Sequence, residues 1–225
     1  MEPFATRLVI LASGLGTRLA AESGGRSKLF LEVGGRTLLD RHLELARYLG
    51  LAPLVVTRPE LAADFRRAGA PVLEEARPTG ILATLYHARH LLGRPFCWLG
   101  GDMLFADPAP LRDLLAAHRQ LGSRCSFLYC RGDRFKAKVA FAPAPRVTVT
   151  REGAHAFSIP NFLVQSPEMF PYMAADPNGN FLQAAIAAGE PILYREYAGP
   201  VFEIDTPRDL AEARTHFAGC ELAAR

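Results

Sequence analysis

The sequence predicts a single α/β domain built on a parallel, doubly wound sheet, and three observations support this fold class. Strand and helix patterns alternate through the first half of the chain in the order βαβαβαβ. The first strand, Leu8–Ala12, is a short continuous apolar run, which is typical of a strand covered by helices on both faces. The chain has 225 residues, 49% of them hydrophobic and 22% charged, so it can bury a core without disulfide or metal staples.

The elements of the first half follow from apolar spacing and from the residues that begin and end each one. Leu38–Leu49 has an apolar stripe at helical spacing, and Gly50 follows it where helices commonly end. Thr79 is placed to cap a helix that runs to Leu92. The other predicted elements are strands at Leu54–Thr57, Pro71–Leu73, Phe96–Leu99 and Cys125–Cys130, and helices at Glu60–Ala68 and Pro110–Leu121.

The second half of the chain changes pattern. Lys136–Phe141 and Val147–Thr150 alternate apolar and polar residues, which predicts a β-hairpin. Helices at Asn178–Gly189 and Thr206–Phe217 and strands at Pro191–Arg195 and Val201–Ile204 complete the prediction. Because no linker separates the halves, we expect residues 1–225 to form one domain in which the second half adds one wall of a cleft.

Charge and cysteine content argue against several classes of protein. The net charge of +3 is too small to indicate nucleic-acid binding. The four cysteines include no Cys-x-x-Cys pair, so we expect reduced, mostly buried thiols rather than a zinc site; they are Cys97, Cys125, Cys130 and Cys220. The longest apolar runs are too short to cross a bilayer, and the N-terminus lacks a secretory pattern, so we expect a cytoplasmic protein without membrane insertion.

The histidines and the tryptophan have structural interpretations. His42, His118 and His216 fall on predicted helices, where we expect them at the surface. His87 and His90 lie three apart on a helix but lack a third metal ligand. Trp98 lies in a core strand, so packing is the expected role of its ring.

The most informative segment runs from the first strand into the turn Gly14-Leu15-Gly16-Thr17-Arg18. Glycines there let backbone N–H groups approach phosphate oxygens, and the Arg18 guanidinium adds a planar fork for a phosphate. Lys28 follows ten residues later and is placed to converge on the same polyphosphate. The dinucleotide-binding fingerprint needs a glycine where Leu19 stands, and no Walker loop is present. An ordinary glycine-rich turn with Arg18 in solvent remains the alternative.

Two carboxylates follow predicted strands directly. Asp102 comes after Phe96–Leu99 and two glycines, and Asp205 comes after Val201–Ile204. Ligands of open α/β sheets bind outside the carboxyl ends of the strands. A charge near a helix N-terminus is the alternative role of Asp205. Because Thr206 already serves as the helix cap, Asp205 is not needed for that role. Two carboxylates at strand ends would suit a hard cation such as Mg²⁺.

Taken together, Leu11–Arg18, Lys28, Gly101-Asp102 and Glu203–Leu210 resemble, in this order, the nucleotidyltransferase family. The resemblance is greatest to small bacterial members that activate sugar 1-phosphates or phospho-alcohols with an NTP. It implies a Rossmann-like three-layer α/β/α sandwich of glycosyltransferase-A type, with a mixed, mostly parallel central sheet. It also implies a nucleotide-binding half at about residues 1–130 and an acceptor-binding half at about residues 131–225.

The resemblance also implies roles for individual residues. Arg18 and Lys28 would hold the triphosphate, and Asp102 and Asp205 would hold Mg²⁺. The nucleotide site would be formed by Leu11, Ala12, Ser13, Gly14, Gly16, Thr17, Glu75, Thr79 and Gly80. The acceptor phosphate is expected on the second half, at Lys138, Arg151 and Asn161, with solvated strand-edge lysines as the alternative.

The implied reaction is attack by an acceptor phosphate oxygen on the α-phosphorus of the NTP, with release of pyrophosphate. The Glu-Lys-Pro segment of sugar 1-phosphate enzymes is absent, and Ser13 stands where alanine or glycine is usual, so the acceptor stays open. Two alternatives remain: a non-catalytic nucleotide-sugar regulator, and a molybdopterin-type nucleotidyltransferase, which Asp205-Thr206-Pro207 disfavours. The residues do not determine the base or the oligomeric state.

Overall fold

A computed structural model describes residues 6–14, 16–77, 80–141, 147–150, 153, 155–175 and 180–218. Within these ranges the strands are β1 Arg7–Leu11, β2 Glu32–Val33, β3 Arg36–Thr37, β4 Ala52–Thr57, β5 Val72–Glu74, β6 Phe96–Gly100, β7 Met103–Phe105, β8 Cys125–Arg131, β9 Ala137–Phe141, β10 Val147–Thr150, β11 Phe157–Ile159, β12 Phe162–Gln165, β13 Ile192–Glu196 and β14 Val201–Glu203. The α-helices are α1 Ala20–Ser23, α2 Leu38–Tyr48, α3 Pro59–Arg67, α4 Ile81–Ala88, α5 Ala109–Leu121, α6 Phe170–Ala175, α7 Phe181–Ala187 and α8 Pro207–Phe217. Short 3₁₀ turns occupy Thr17–Leu19, Lys28–Phe30, Arg89–Leu91 and Pro167–Met169.

The central sheet has ten strands and is mixed, as expected. Strands β5, β4, β1 and β6 lie side by side and parallel. Strand β12 then pairs antiparallel with both β6 and β8, and β13 runs parallel to β8 on its other side. Strands β11, β9 and β10 extend the sheet by antiparallel pairing. Every antiparallel pair of this sheet therefore includes a strand from the second half of the chain, whereas β13 joins it by parallel pairing.

Strands β6 and β8 follow one another in the βαβ series but are not neighbours in the sheet. Phe162–Gln165 lies between them, with Leu163 opposite Trp98 on one side and Phe127 on the other. This four-residue segment is fully buried, but it follows the whole βαβ series in the chain. Its position therefore depends on pairing with distant strands, which local periodicity does not reveal.

Helices cover both faces of the sheet, which gives the three layers. Alternate residues of β1 enter different cores: Leu8 and Ile10 pack with α2, α3 and α5, whereas Val9 packs with α4, α6 and α7. A smaller third cluster joins α8 to β7 and to the β2–β3 hairpin, through residues such as Leu104 and Leu210.

Helix ends agree with the capping residues of the sequence. Thr37 and Thr206 each begin a helix with a capping box, and Gly50 follows α2 with φ 65°. The predicted helix to Leu92 is an α-helix to Ala88 that continues as a 3₁₀ turn. Thr79, its predicted cap, lies outside the described residues.

Cys97 and Cys125 are buried free thiols and Cys130 is half-buried, whereas Cys220 lies outside the described residues.

The side chains of His42 and His118 are each only 1% exposed, so the expectation of surface positions is wrong for both. In α2, His42 lies on the apolar stripe, four residues after Leu38 and four before Ala46. In α5, His118 lies four residues after the buried Leu114, on the buried face of that helix. Among the described helices, none has the length and apolar character needed to span a membrane.

Candidate active site

Three charged residues from distant parts of the chain meet at the carboxyl edge of the sheet. The ammonium Nζ of Lys28 donates to Oδ2 of Asp102 at 2.7 Å and to Oδ1 of Asp205 at 2.9 Å. These two carboxylate oxygens lie no further apart than the sum of those distances, 5.6 Å. One ammonium group therefore bridges both carboxylates. Its position is one that a metal cation could also occupy.

Backbone contacts hold Asp102 in place through the Asp102 loop, Gly100–Asp102. The N–H of Gly101 donates to the carbonyl of Leu11 at 3.0 Å, and the carbonyl of Asp102 accepts from Ile204 N–H at 2.9 Å. A Cβ on Gly101 would lie 2.6 Å from Leu29 Cδ1, so only glycine permits this close approach. The loop is thus tied both to the end of β1 and to the segment that carries Asp205.

The electrostatics of the group follow from this geometry. Burial alone would lower the pKa of Lys28, but its attraction to Asp102 and its hydrogen bonds outweigh burial and raise that pKa. The same contact overcomes the burial of Asp205 and lowers the pKa of that carboxyl. Burial, and then the negative charges of Asp102 and Asp205, raise the pKa of the neighbouring Glu203. The site therefore favours a fixed positive charge between Asp102 and Asp205.

Asp102 also has a carboxylate oxygen that could coordinate a metal ion. Its Oδ1 is buried and has no hydrogen-bond partner among the described residues, a costly arrangement unless a cation or donor reaches it. Carboxylate oxygens suit a hard cation such as Mg²⁺. The described residues contain no group of three or more potential ligands around one point, so substrate phosphates and water would complete the coordination, as is usual for Mg²⁺.

Arg18 approaches the same cluster from the glycine turn. Its Nη1 lies 3.6 Å from Oδ2 of Asp205, and its side chain is 70% exposed. Gly14 and Gly16 of this turn have open space around them, since an added Cβ on either would meet no atom within 4 Å. Thr17 is exposed beside Arg18. An anionic ligand can therefore approach both the exposed Arg18 guanidinium and the backbone of the glycine turn.

The residue just before the glycine turn, Ser13, is hydrogen-bonded to the buried carboxylate of Glu75. Glu75 Oε2 accepts from Ser13 Oγ at 3.0 Å and from Thr84 Oγ1 at 2.7 Å. Glu75 N–H donates to the carbonyl of Thr57, and the hydroxyl of Thr57 donates to the carbonyl of Ala12. This network fixes the chain just after Leu11. Thr84 was not among the predicted site residues. Its position in the first turn of the helix that follows Gly80 could have indicated it.

Residues 8–207 match the family model of the MobA-like NTP transferase domain. The chain belongs to this family. No curated protein matches the chain in sequence.

Solved structures with this fold are similar over almost their whole length. A Bacillus anthracis protein assigned as a glucose-1-phosphate thymidylyltransferase aligns with TM-score 0.81 and 16% identity, over 95% of this chain and 96% of that one. A UDP-glucose pyrophosphorylase from Acinetobacter baumannii gives 0.77 and 16%, over 95% and 93%. The inositol-1-phosphate CTP transferase of T. maritima gives 0.72 and 18%, over 95% and 96%. At these identities the likeness shows the fold, which is that of nucleotidyltransferases.

The predicted acceptor residues of this NTP transferase lie in different environments. Lys138 is almost fully buried and forms an ion pair with Asp133, so its charge is already matched. The carbonyl of Asn161 accepts from Gly100 N–H at 3.0 Å, which places Asn161 beside the Asp102 loop. Arg151 lies outside the described residues. Lys136, two residues before Lys138, is close enough to lower the pKa of Asp205.

Proposed function

We propose that this NTP transferase moves a nucleoside monophosphate from an NTP to a phosphorylated small molecule, a sugar 1-phosphate or a phospho-alcohol, and releases pyrophosphate. The observation that carries the proposal is the Lys28–Asp102–Asp205 cluster beside the open glycine turn. The acceptors named for the similar structures, glucose 1-phosphate and inositol 1-phosphate, are phosphate monoesters. The free thiols and the NTP substrate favour a cytoplasmic location.

The chain's own residues supply positioning and charge. The second pKa of a phosphate monoester is about 6, so the attacking oxygen is already ionised at neutral pH and needs no general base. Arg18 and Lys28 would hold the triphosphate in line and neutralise the charge that develops on the leaving pyrophosphate. Asp102 and Asp205 would hold Mg²⁺, which when bound supplies further charge stabilisation.

Lys28 would change partners during binding. In this structure its ammonium lies between the carboxylates that would hold the metal. When the triphosphate binds with Mg²⁺, Asp102 and Asp205 would hold the cation and Lys28 would pair with the phosphates. We therefore expect NTP and metal to bind together, with Lys28 turning from the carboxylates to the phosphates.

Glu75 would contribute to recognition of the base. Its Oε2 is occupied by two hydroxyl donors, and its Oε1 accepts no hydrogen bond among the described residues. A carboxylate oxygen only accepts, so an N–H or amino group on the base edge would suit it. Cytosine, adenine and guanine carry an exocyclic amino group on that edge, whereas uracil offers only its ring N3–H, and we expect an amino-bearing base to be preferred over uracil.

Pyrophosphate release measured for four NTPs against sugar 1-phosphates, phosphocholine and inositol phosphate tests the proposal. We expect turnover with one NTP and a narrow class of acceptor, and none without a divalent cation. NTP binding without pyrophosphate release for any acceptor would contradict the proposal and favour the non-catalytic regulator or a different acceptor, such as a molybdopterin. Asp205→Asn serves as the matched inactive control, since it keeps the size of the side chain.

A further inference from the structure

A cavity lies between helix α2, strand β7 and the end of α8. Its volume is about 410 Å³, within the roughly 300–1,000 Å³ of small-molecule sites. Arg18, Lys28, Asp102 and Asp205 are not among its described lining residues. The cavity is therefore separate from the cluster proposed to bind the triphosphate.

The walls of this cavity, which we call the α2 cavity, are mostly apolar. Its ring-bearing and aliphatic lining includes Leu45, Tyr48, Met103, Leu104, Phe105 and Phe217. Such a surface accommodates a flat apolar ring, which aromatic side chains contact face-on or edge-on.

Charged groups at the α2 cavity favour an anion. Three arginines line it against one acidic residue: Arg36, Arg41 and Arg47 against Glu44. Arg36 forms an ion pair with Glu44, whereas exposed Arg47 has no ion pair or hydrogen bond among the described residues. The exposed guanidinium of Arg47 is therefore placed to pair with a phosphate, sulfonate or carboxylate.

Glu44 indicates one further feature of the ligand. Its Oε2 is buried and has no hydrogen-bond partner among the described residues. An unpaired buried carboxylate oxygen costs free energy unless a donor reaches it. A ligand hydroxyl or N–H would satisfy it.

His42 connects the α2 cavity to the Asp102 loop. It lines the cavity, and its Nε2 lies 2.9 Å from the carbonyl of Gly101. A carbonyl oxygen only accepts, so Nε2–H of His42 is the donor of this hydrogen bond, and burial lowers the pKa of the ring. The N–H of Gly101 donates to the carbonyl of Leu11, and a Cβ on Gly101 would lie 2.6 Å from Leu29 Cδ1, so the loop has little space beside this glycine. Movement of the His42 ring would therefore be passed to Asp102.

We propose that the α2 cavity is a regulatory binding site for a small ring-bearing anion with a hydroxyl or N–H donor, and that His42 transmits its occupancy to the Asp102 loop. The binding part stands on the cavity alone, and the transmission part rests on the function proposed for Asp102.

Titration with anilinonaphthalene sulfonate, an aromatic anion with an N–H donor, tests the binding part by fluorescence. We expect saturable binding that persists with NTP and Mg²⁺ present. Ala106→Trp, which fills the cavity, should weaken binding at least about thirtyfold, and Arg47→Glu about tenfold, whereas the exposed Arg195→Glu control should leave it unchanged. Thermal melts establish that each variant is folded. Binding that is absent, or that is equal in all variants, would overturn the site.

Calorimetry of NTP binding with and without the probe tests the transmission part. We expect the probe to change the NTP dissociation constant at least about fivefold in the wild type, with the reciprocal effect on the probe. His42→Phe should remove the coupling while both ligands still bind. Independent binding in the wild type would overturn transmission, and failure of NTP to bind at all would instead contradict the proposed function.

Discussion

Replacing Lys28 by methionine removes the ammonium that bridges Asp102 and Asp205 while keeping a side chain of similar length. Lys28 is only 16% exposed, and its two contacts are 2.7 and 2.9 Å long. Without it, two carboxylate oxygens at most 5.6 Å apart face each other. At an effective dielectric constant of about 20 this repulsion is about 3 kcal/mol, and screening at the exposed side of Asp205 reduces it to about 1–2 kcal/mol.

Lys28→Met should therefore destabilise the protein moderately and disable it strongly. A loss of about 1–2 kcal/mol corresponds to a fall in Tm of about 2–8 °C for a domain of this size. The loss of a charged contact to the triphosphate should lower kcat/KM for the NTP about a hundredfold. In contrast, Mn²⁺ added without nucleotide should bind at least about tenfold tighter, because no ammonium competes for the carboxylates.

Calorimetry of Mn²⁺ binding, thermal melts and steady-state kinetics on the same preparations measure these three effects. Arg18→Met is the matched control: it removes an exposed cation 3.6 Å from Asp205 and should lower kcat/KM while changing Mn²⁺ affinity much less than Lys28→Met does. Unchanged Mn²⁺ affinity in Lys28→Met would show that the lysine does not occupy the metal position. A large fall in Tm with near-normal kcat/KM would make Lys28 a structural residue.

Three further predictions follow from single contacts. Glu75→Gln adds an amide donor at the position proposed to contact the base, so it should reduce the preference for amino-bearing bases about tenfold or more. The ratio of kcat/KM for CTP, ATP or GTP to that for UTP measures this preference, and an unchanged ratio would place base recognition elsewhere. Burial lowers the pKa of His118 to about 4. As the pH falls, the unfolded chain therefore takes up a proton before the folded protein does, and the free energy of unfolding should fall by up to about 3 kcal/mol between pH 6.5 and pH 4. Urea unfolding of His118→Gln should show a flatter pH dependence than the wild type, and an equal slope would refute the assignment. Lys136→Ala should raise the acceptor KM several-fold more than the NTP KM, since Lys136 lies near Asp205 whereas Lys138 is paired with Asp133; a larger effect in Lys138→Ala would reverse this choice.

Local features of the chain were predictable because they depend on neighbouring residues. The apolar run of β1, the Thr206 cap and the glycine after α2 each specify a strand, a helix start or a helix end within a few positions. The same holds for the glycine turn and for carboxylates placed directly after strands. These motifs, in their order, were sufficient to indicate a nucleotidyltransferase.

Contacts between distant segments were decided only by the tertiary structure. The insertion of β12 between β6 and β8 depends on hydrogen bonds to strands far away in the chain. The sequence placed Asp102 and Asp205 at strand ends, but the bridging position of Lys28 results from the packing of three separate segments. His42 and Thr84 acquire their roles in the same way, because a polar side chain on an apolar helix stripe meets its partner only once the helix packs on the sheet. The physical reason is that periodicity specifies which face of an element is buried, whereas the atoms that the buried face meets depend on the order of strands in the sheet.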